Sequence, residues 1–206
     1  MTVGSRAKPS IPPVEPGSYL ARCVGVVDLG EQEAEYKGKT KYADKIKLIF
    51  ELPTERITID GEDLPRQLSR NFTLSSSKKG SLRQFISAWL SKSFTDGEFS
   101  DFELFDLLQY PALLSVVHSE DGQYANIAGA MAVPRGMDVP AAQSDLIRFD
   151  TQKWDDSAFD ALPEYLQEQL KRSTQYRNMH LPDQEVSVEA AAAEAAETAS
   201  AEEVPF

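Results

Sequence analysis

The chain is poor in the residues that most enzyme chemistry is built from. It has one cysteine, Cys23, and two histidines, His118 and His180. A single cysteine excludes an internal disulfide framework and fits a reducing cytoplasm, the compartment expected here. Cys23 falls in a run that reads as strand, and these three residues make no zinc-ligand spacing. Neither metal nor cofactor is expected. No apolar run approaches the ~18–20 residues of a membrane span. Near the start, Arg6 and Lys8 are followed by Pro9, Pro12, Pro13 and Pro16 rather than an apolar core, unlike a signal peptide. Gly38-Lys39-Thr40 has the ending of a phosphate-binding loop, but Glu33 stands where its first glycine belongs, and a strand rather than a helix follows. With 33 acids in the chain, paired carboxylates arise by chance. Nothing in this inventory points to an enzyme.

What the chain does have is charge, unevenly spread. The net charge is −12, and residues 181–206 carry −7 of it, with seven acids and no Lys or Arg. The other 180 residues carry only −5, so the overall sign does not exclude a local basic groove. The Ala/Glu-rich run from Ser187 lacks the apolar residues needed to offset ordering entropy and is expected to be disordered. It nevertheless ends in Glu202-Glu203-Val204-Pro205-Phe206. A solvated acidic tail has no need of an apolar tip. A terminal ring beside its own carboxylate is a compact ligand for a basic pocket with an apolar floor.

Length favours one domain plus appendages. Residues 1–16 read as a Pro-rich extended arm. Residues 18–29 read as strand one, bounded by Gly17 and Gly30. A polar loop follows. Residues 42–52 alternate as strand two, with Ile46, Leu48 and Phe50 on one face and Lys45, Lys47 and Glu51 on the other; Ile49 breaks the polar face, which fits a strand covered in part on both sides, and Pro53 is expected to end it. Asp60-Gly61 signals a turn. Residues 66–74 form strand three, with Leu68, Arg70, Phe72 and Leu74 alternating with polar residues. Ser81 is placed as the N-cap of a helix whose apolar stripe is Leu82, Phe85, Ile86, Trp89 and Leu90. Residues 98–108 read as a short second helix. Residues 112–118 and 124–133 read as strands four and five, separated by the Asp121-Gly122 turn. Beyond Pro140 a helix over 160–172 begins at Pro163 and presents Leu162, Tyr165, Leu166 and Leu170.

Three strands, a helix and two strands are the order of an OB-fold, a five-stranded, partly open Greek-key barrel with its helix between strands three and four. Other small β-barrels and α+β domains share that order. The division expected is an arm at 1–16, an OB-like domain at 17–140, a segment with a short helix packed on it at 141–180, and the tail at 181–206.

In an OB-fold the face of strands two and three and the first loop bind oligonucleotides. That region holds Tyr36, Lys37, Lys39, Lys41, Tyr42, Lys45 and Lys47. Single-strand binders need a positive groove for phosphates and aromatic faces for bases, and stacking ignores sequence because every base has a π face. Arg66, Arg70 and Phe72 on strand three, then Lys78 and Lys79, extend the same character. A lysine-decorated solvated loop is the alternative reading of the cluster. Phe72 shares its strand face with Leu68 and Leu74, which suits a core better than a platform. Tyr124 reads equally as a stacking or a hairpin residue.

The tip resembles the end of bacterial single-stranded DNA-binding proteins, whose acidic tails finish acid-acid-apolar-Pro-Phe. The order of elements together with the tail makes the chain similar to single-stranded DNA-binding proteins of the bacteriophage type. The resemblance implies sequence-independent binding of single-stranded DNA in replication or recombination. It also implies docking of partner proteins by Glu202, Glu203, Val204, Pro205 and Phe206. The chain departs from the bacterial tail in having fewer Gly and Gln and a Val-Pro-Phe end. An adaptor that mimics the host's tail without binding DNA, and a strand-annealing mediator, are the alternatives. Five lysines and two tyrosines within twelve residues favour a DNA binder over an adaptor.

Overall fold

The computed structural model describes residues 12–36, 39–59 and 61–180, with only the backbone of 34–36 and 39. It is mainly β. One sheet follows the order β3 (Glu62–Thr73), β2 (Lys39–Ile59), β1 (Gly17–Tyr36), β4 (Pro111–His118), β5 (Ala125–Met131), and a short β6 (Ile147–Phe149) lies beside β1. The pairs β1/β4, β2/β3 and β4/β5 are antiparallel, and β6 runs parallel to β1. The chain divides into two compact units, whose described parts are 12–28 with 44–150, and 29–43 with 151–180.

In the first unit the period-two pattern decides which face is buried. Ile46, Leu48, Phe50 and Leu52 of β2 join Phe72 of β3, Ala21 and Cys23 of β1, and Leu114 and Val116 of β4 in one apolar core. Burial pushes the Cys23 thiol up to about 12, so at neutral pH it is a small apolar filler rather than a nucleophile. Helix α1 (Ser81–Trp89) adds Leu82, Phe85, Ile86 and Trp89 to the same core. The Phe85 ring lies 4.9 Å from that of Phe72, and the Trp89 ring 5.1 Å from that of Phe50. Ser81 is not its N-cap. It is already helical, and Gly80 before it is extended and caps with no side chain.

Between α1 and β4 lie α2 (Asp96–Ser100) and a 3₁₀ turn at Leu104–Leu107, in place of the single helix expected over 98–108. A capping box starts α2: Thr95 Oγ1 accepts from the Glu98 amide, and the Glu98 carboxylate accepts from the Thr95 amide.

The strands are longer than their apolar patterns. The stretch expected as a polar loop after residue 29 continues β1, and β2 passes through Pro53 rather than ending there. Pro53 is accommodated because the β2/β3 register slips between Leu52 and Arg56, an irregularity that spares it a ladder bond. Ile59 pairs with Glu62 across the connection, and Gly61 adopts φ 88°, which only glycine takes readily.

Two charged groups, the half-buried Arg22 and the buried Glu51, tie residues 139–144 to the sheet. Arg22 donates from Nε to Pro140 O at 2.6 Å, from Nη2 to Val139 O at 2.6 Å and from Nη1 to Gln109 O at 2.9 Å. The fully buried Glu51 carboxylate accepts from the amides of Gln143 and Ser144, at 2.9 and 2.7 Å. Each charge is satisfied by backbone dipoles, which is what makes its burial tolerable.

In the second unit, the helix expected over 160–172 is broken into α3 (Asp156–Asp160) and α4 (Glu164–Leu170), and α5 (Thr174–His180) follows. Pro163 is the residue before α4, with ψ 141°, rather than its first residue. Leu162, Leu166 and Leu170 are buried, whereas Tyr165 is half exposed. Trp154 packs on Phe159 and Tyr176, with ring centroids 5.2 and 5.8 Å away. Gln175 Oε1 accepts from the Glu31 amide at 2.9 Å, and Thr174 donates to the Glu31 carboxylate at 2.8 Å.

Candidate nucleic-acid interface

The β2/β3 register separates the basic residues that the sequence groups together. Lys45 stands opposite Thr73 and Lys47 opposite Asn71, whereas Arg70 stands opposite Leu48 and Arg66 opposite Leu52. Directly opposed residues share a face. The two lysines therefore point away from the core, and the two arginines point to the core side.

That placement gives the arginines structural work. Arg70 Nη1 donates to the carbonyls of Ile127 at 3.0 Å and Ala128 at 2.8 Å, tying β3 to β5, the two ends of the sheet path. Its guanidinium also lies over the rings of Phe72 and Phe85, 4.9 and 5.5 Å from their centroids. Arg66 donates to Pro12 O at 2.6 Å and holds the end of the N-terminal arm. Phe72 is 2% exposed, packs its ring on Phe85 and leaves no face open to a base, so it is a core residue, as its strand face with Leu68 suggests, rather than a stacking platform.

The outward face of β2 and β3 is polar apart from Ile49, which is buried opposite Ser69, and Lys47 and Glu51 on it are buried too. Lys45 Nζ donates to Thr73 Oγ1 at 2.7 Å, and Lys47 Nζ approaches Ser69 Oγ at 3.5 Å. Toward Glu51 this face is occupied: Gln67 Nε2 donates to Ser144 Oγ at 2.8 Å, and Arg56 Nη1 to Gln143 Oε1 at 2.8 Å. Beside the covered part lies a recess of about 400 Å³ lined by Lys47, Ser69, Arg70, Asn71, Asn126 and Ile127, running from β2 across β3 to β5. Lys47 is only 6% exposed, and desolvation holds its ammonium below the usual lysine range.

Tyr124 ends the β4–β5 turn, two residues before Asn126, and is 64% exposed. Its amide donates to Ser119 Oγ at 3.0 Å, and Ser119 in turn donates to Asp121, whose carboxyl is lowered first by that bond. Lys78 reaches Asp96 at 3.5 Å. Asp96 also accepts from the buried Arg83 at 2.7 Å, the main reason its carboxyl is lowered. Lys79 is exposed. Lys41 and Tyr42, both exposed on β2, belong to the second unit. The expectations for Lys37, for the side chains of Tyr36 and Lys39, and for the tip Glu202, Glu203, Val204, Pro205 and Phe206 lie outside the described residues.

Of the residues singled out from sequence, the fold brings Lys47 and Arg70 to one recess, with Lys45 on the adjoining outward face. It adds Ser69, Asn71 and Asn126, which charge and aromatic content do not flag. The signal for Ser69 and Asn71 was the polar alternation of β3, where Gln67, Ser69, Asn71 and Thr73 fill the face that Lys45 and Lys47 share. Comparison with models of protein families, with curated proteins and with solved structures finds no match to this chain.

Proposed function

We propose that this chain is an OB-fold protein that binds single-stranded DNA with little sequence preference. The observation that carries the reading is the sheet path β3-β2-β1-β4-β5, whose two ends are brought together by Arg70. With α1 between β3 and β4, that is the order of a five-stranded OB barrel. The outward face of β2 and β3 then becomes its oligonucleotide surface, with the β4–β5 turn at its edge. Lys45 and Lys47 supply positive charge on that surface, and Tyr124 an exposed ring at its edge. Stacking on an exposed ring contributes ~1–3 kcal/mol per base and tolerates any sequence.

In this reading the protein serves phage DNA replication or recombination in the cytoplasm of a bacterial host. The acidic tail competes with DNA for the basic surface and docks a replication or recombination protein through Phe206. Titration of the full chain with fluorescent oligo-dT, at low and moderate salt and against duplex, tests the DNA-binding part. Salt-independent binding, or equal affinity for duplex, would contradict it.

A second reading has one observation in its favour. Arg66, Arg70 and Lys78 are engaged with protein groups, which thins the positive surface. An adaptor that carries a docking tail without binding DNA fits that engagement. The same titration separates the two.

A further inference from the structure

The recess beside Lys47 has a composition that phosphate binding alone does not require. Phosphates are held by donors alone: cations, hydroxyls, backbone amides and the NH₂ groups of Asn and Gln. Here a lysine and a serine hydroxyl lie at the β2–β3 side, while two carboxamides, Asn71 on β3 and Asn126 on β5, face the same space. Neither carboxamide makes a hydrogen bond to another described residue, and both are exposed. A carboxamide offers a donor and an acceptor side by side, the pattern that pairs with the edge of a base. A volume of about 400 Å³ lies toward the small end of ligand pockets, which run from roughly 300 to 1,000 Å³.

We infer that this recess is a single-nucleotide slot. The Lys47 ammonium, steadied by Ser69, takes one backbone phosphate of a bound strand. The carboxamides of Asn71 and Asn126 hydrogen-bond the edge of the base attached to it. The slot rests on the single-strand reading above and adds to it: binding that is sequence-tolerant over most of the footprint discriminates between bases at one position.

The test compares the full-length wild type with Asn71→Ala, Asn126→Ala and Lys47→Met. The probes are labelled oligo-dA, oligo-dT and an abasic oligomer of equal length, each titrated at several salt concentrations. The wild type is expected to prefer base-bearing strands and to distinguish dA from dT. Each Asn variant is expected to lose about tenfold of that discrimination, the lower part of what a carboxamide–base pair supplies. Its salt slope should stay unchanged. Lys47→Met is expected to reduce the log–log salt slope by ~0.7, one phosphate contact on a single strand, and to leave the ratio of dA to dT intact. Asn71 and Asn126 are exposed, so their alanine variants keep the fold and carry the test even if Lys47→Met does not fold. Wild-type binding whose discrimination survives both Asn substitutions overturns the slot and leaves the single-strand reading standing. A wild type that binds none of the probes overturns both.

Discussion

Arg70 Nη1 donates to the carbonyl of Ile127 at 3.0 Å, and through it β3 is tied to β5. An arginine that the sequence groups with the DNA-binding candidates thus also ties together the two ends of the sheet path. Arg70→Met keeps the apolar stem and removes two charge-assisted hydrogen bonds and the contact with the Phe72 ring. Such bonds contribute about 1.5–3 kcal/mol each before relaxation, so a loss of ~2 kcal/mol in unfolding free energy is expected. Denaturant unfolding measures it. Unchanged stability with a shallower salt slope in DNA binding would return Arg70 to the ligand.

Gly25 and Ile49 pack without room for a side chain. A Cβ on Gly25 would stand 2.7 Å from Ile49 Cδ1 and 2.9 Å from Ile49 Cβ, the latter fixed to the β2 backbone. Gly25→Ala is expected to destabilise by ~1–3 kcal/mol, the range for overpacking. Ile49→Val in the same chain removes the Cδ1 clash and should recover part of the loss. A Gly25→Ala protein as stable as wild type would contradict this packing.

Tyr124 and Tyr42 are 64% and 51% exposed, so truncating either removes little buried surface. If they stack bases, Tyr124→Ala or Tyr42→Ala costs ~1–3 kcal/mol of single-strand affinity at unchanged melting temperature. A lower melting temperature with unchanged affinity per folded molecule would make them structural.

The tail is tested by deletion. In the proposed reading, the −7 segment at 181–206 acts at a roughly millimolar effective concentration near the lysines and competes with phosphate. Removing residues 181–206 should raise DNA affinity, most at low salt where screening is least. Removing Phe206 alone should leave DNA affinity unchanged and abolish capture of a replication or recombination protein. Capture that persists without Phe206 would deny the tip its docking role.

Much of the sheet was legible because its faces differ in polarity. The alternation of Ile46, Leu48 and Phe50 with Lys45, Lys47 and Glu51 assigns β2 and its buried face, and the stripe from Leu82 to Trp89 assigns α1. The ends of the strands were not legible. β2 continues past Pro53 through a register shift that no local propensity announces, and β6 is three residues whose only cause is a parallel neighbour in β1. The site was half legible for a related reason. Composition brings Lys47, Arg70 and Phe72 together, but which residues stand opposite one another depends on register. Alternation in β3 already sets Phe72 on the core face; register adds that Asn71, not Arg70 or Phe72, stands opposite Lys47. Asn126 comes from a strand 55 residues away in the chain, beside β3 only because the ends of the sheet meet.

Fluorescence anisotropy of labelled oligo-dT titrated with the full-length protein, repeated across a salt series and against duplex of the same length, tests single-strand binding most directly. The expected result is tighter binding to the single strand than to duplex, with log affinity falling linearly in log salt at roughly −0.7 per phosphate contact. No binding at low salt, or a preference for duplex, would contradict it.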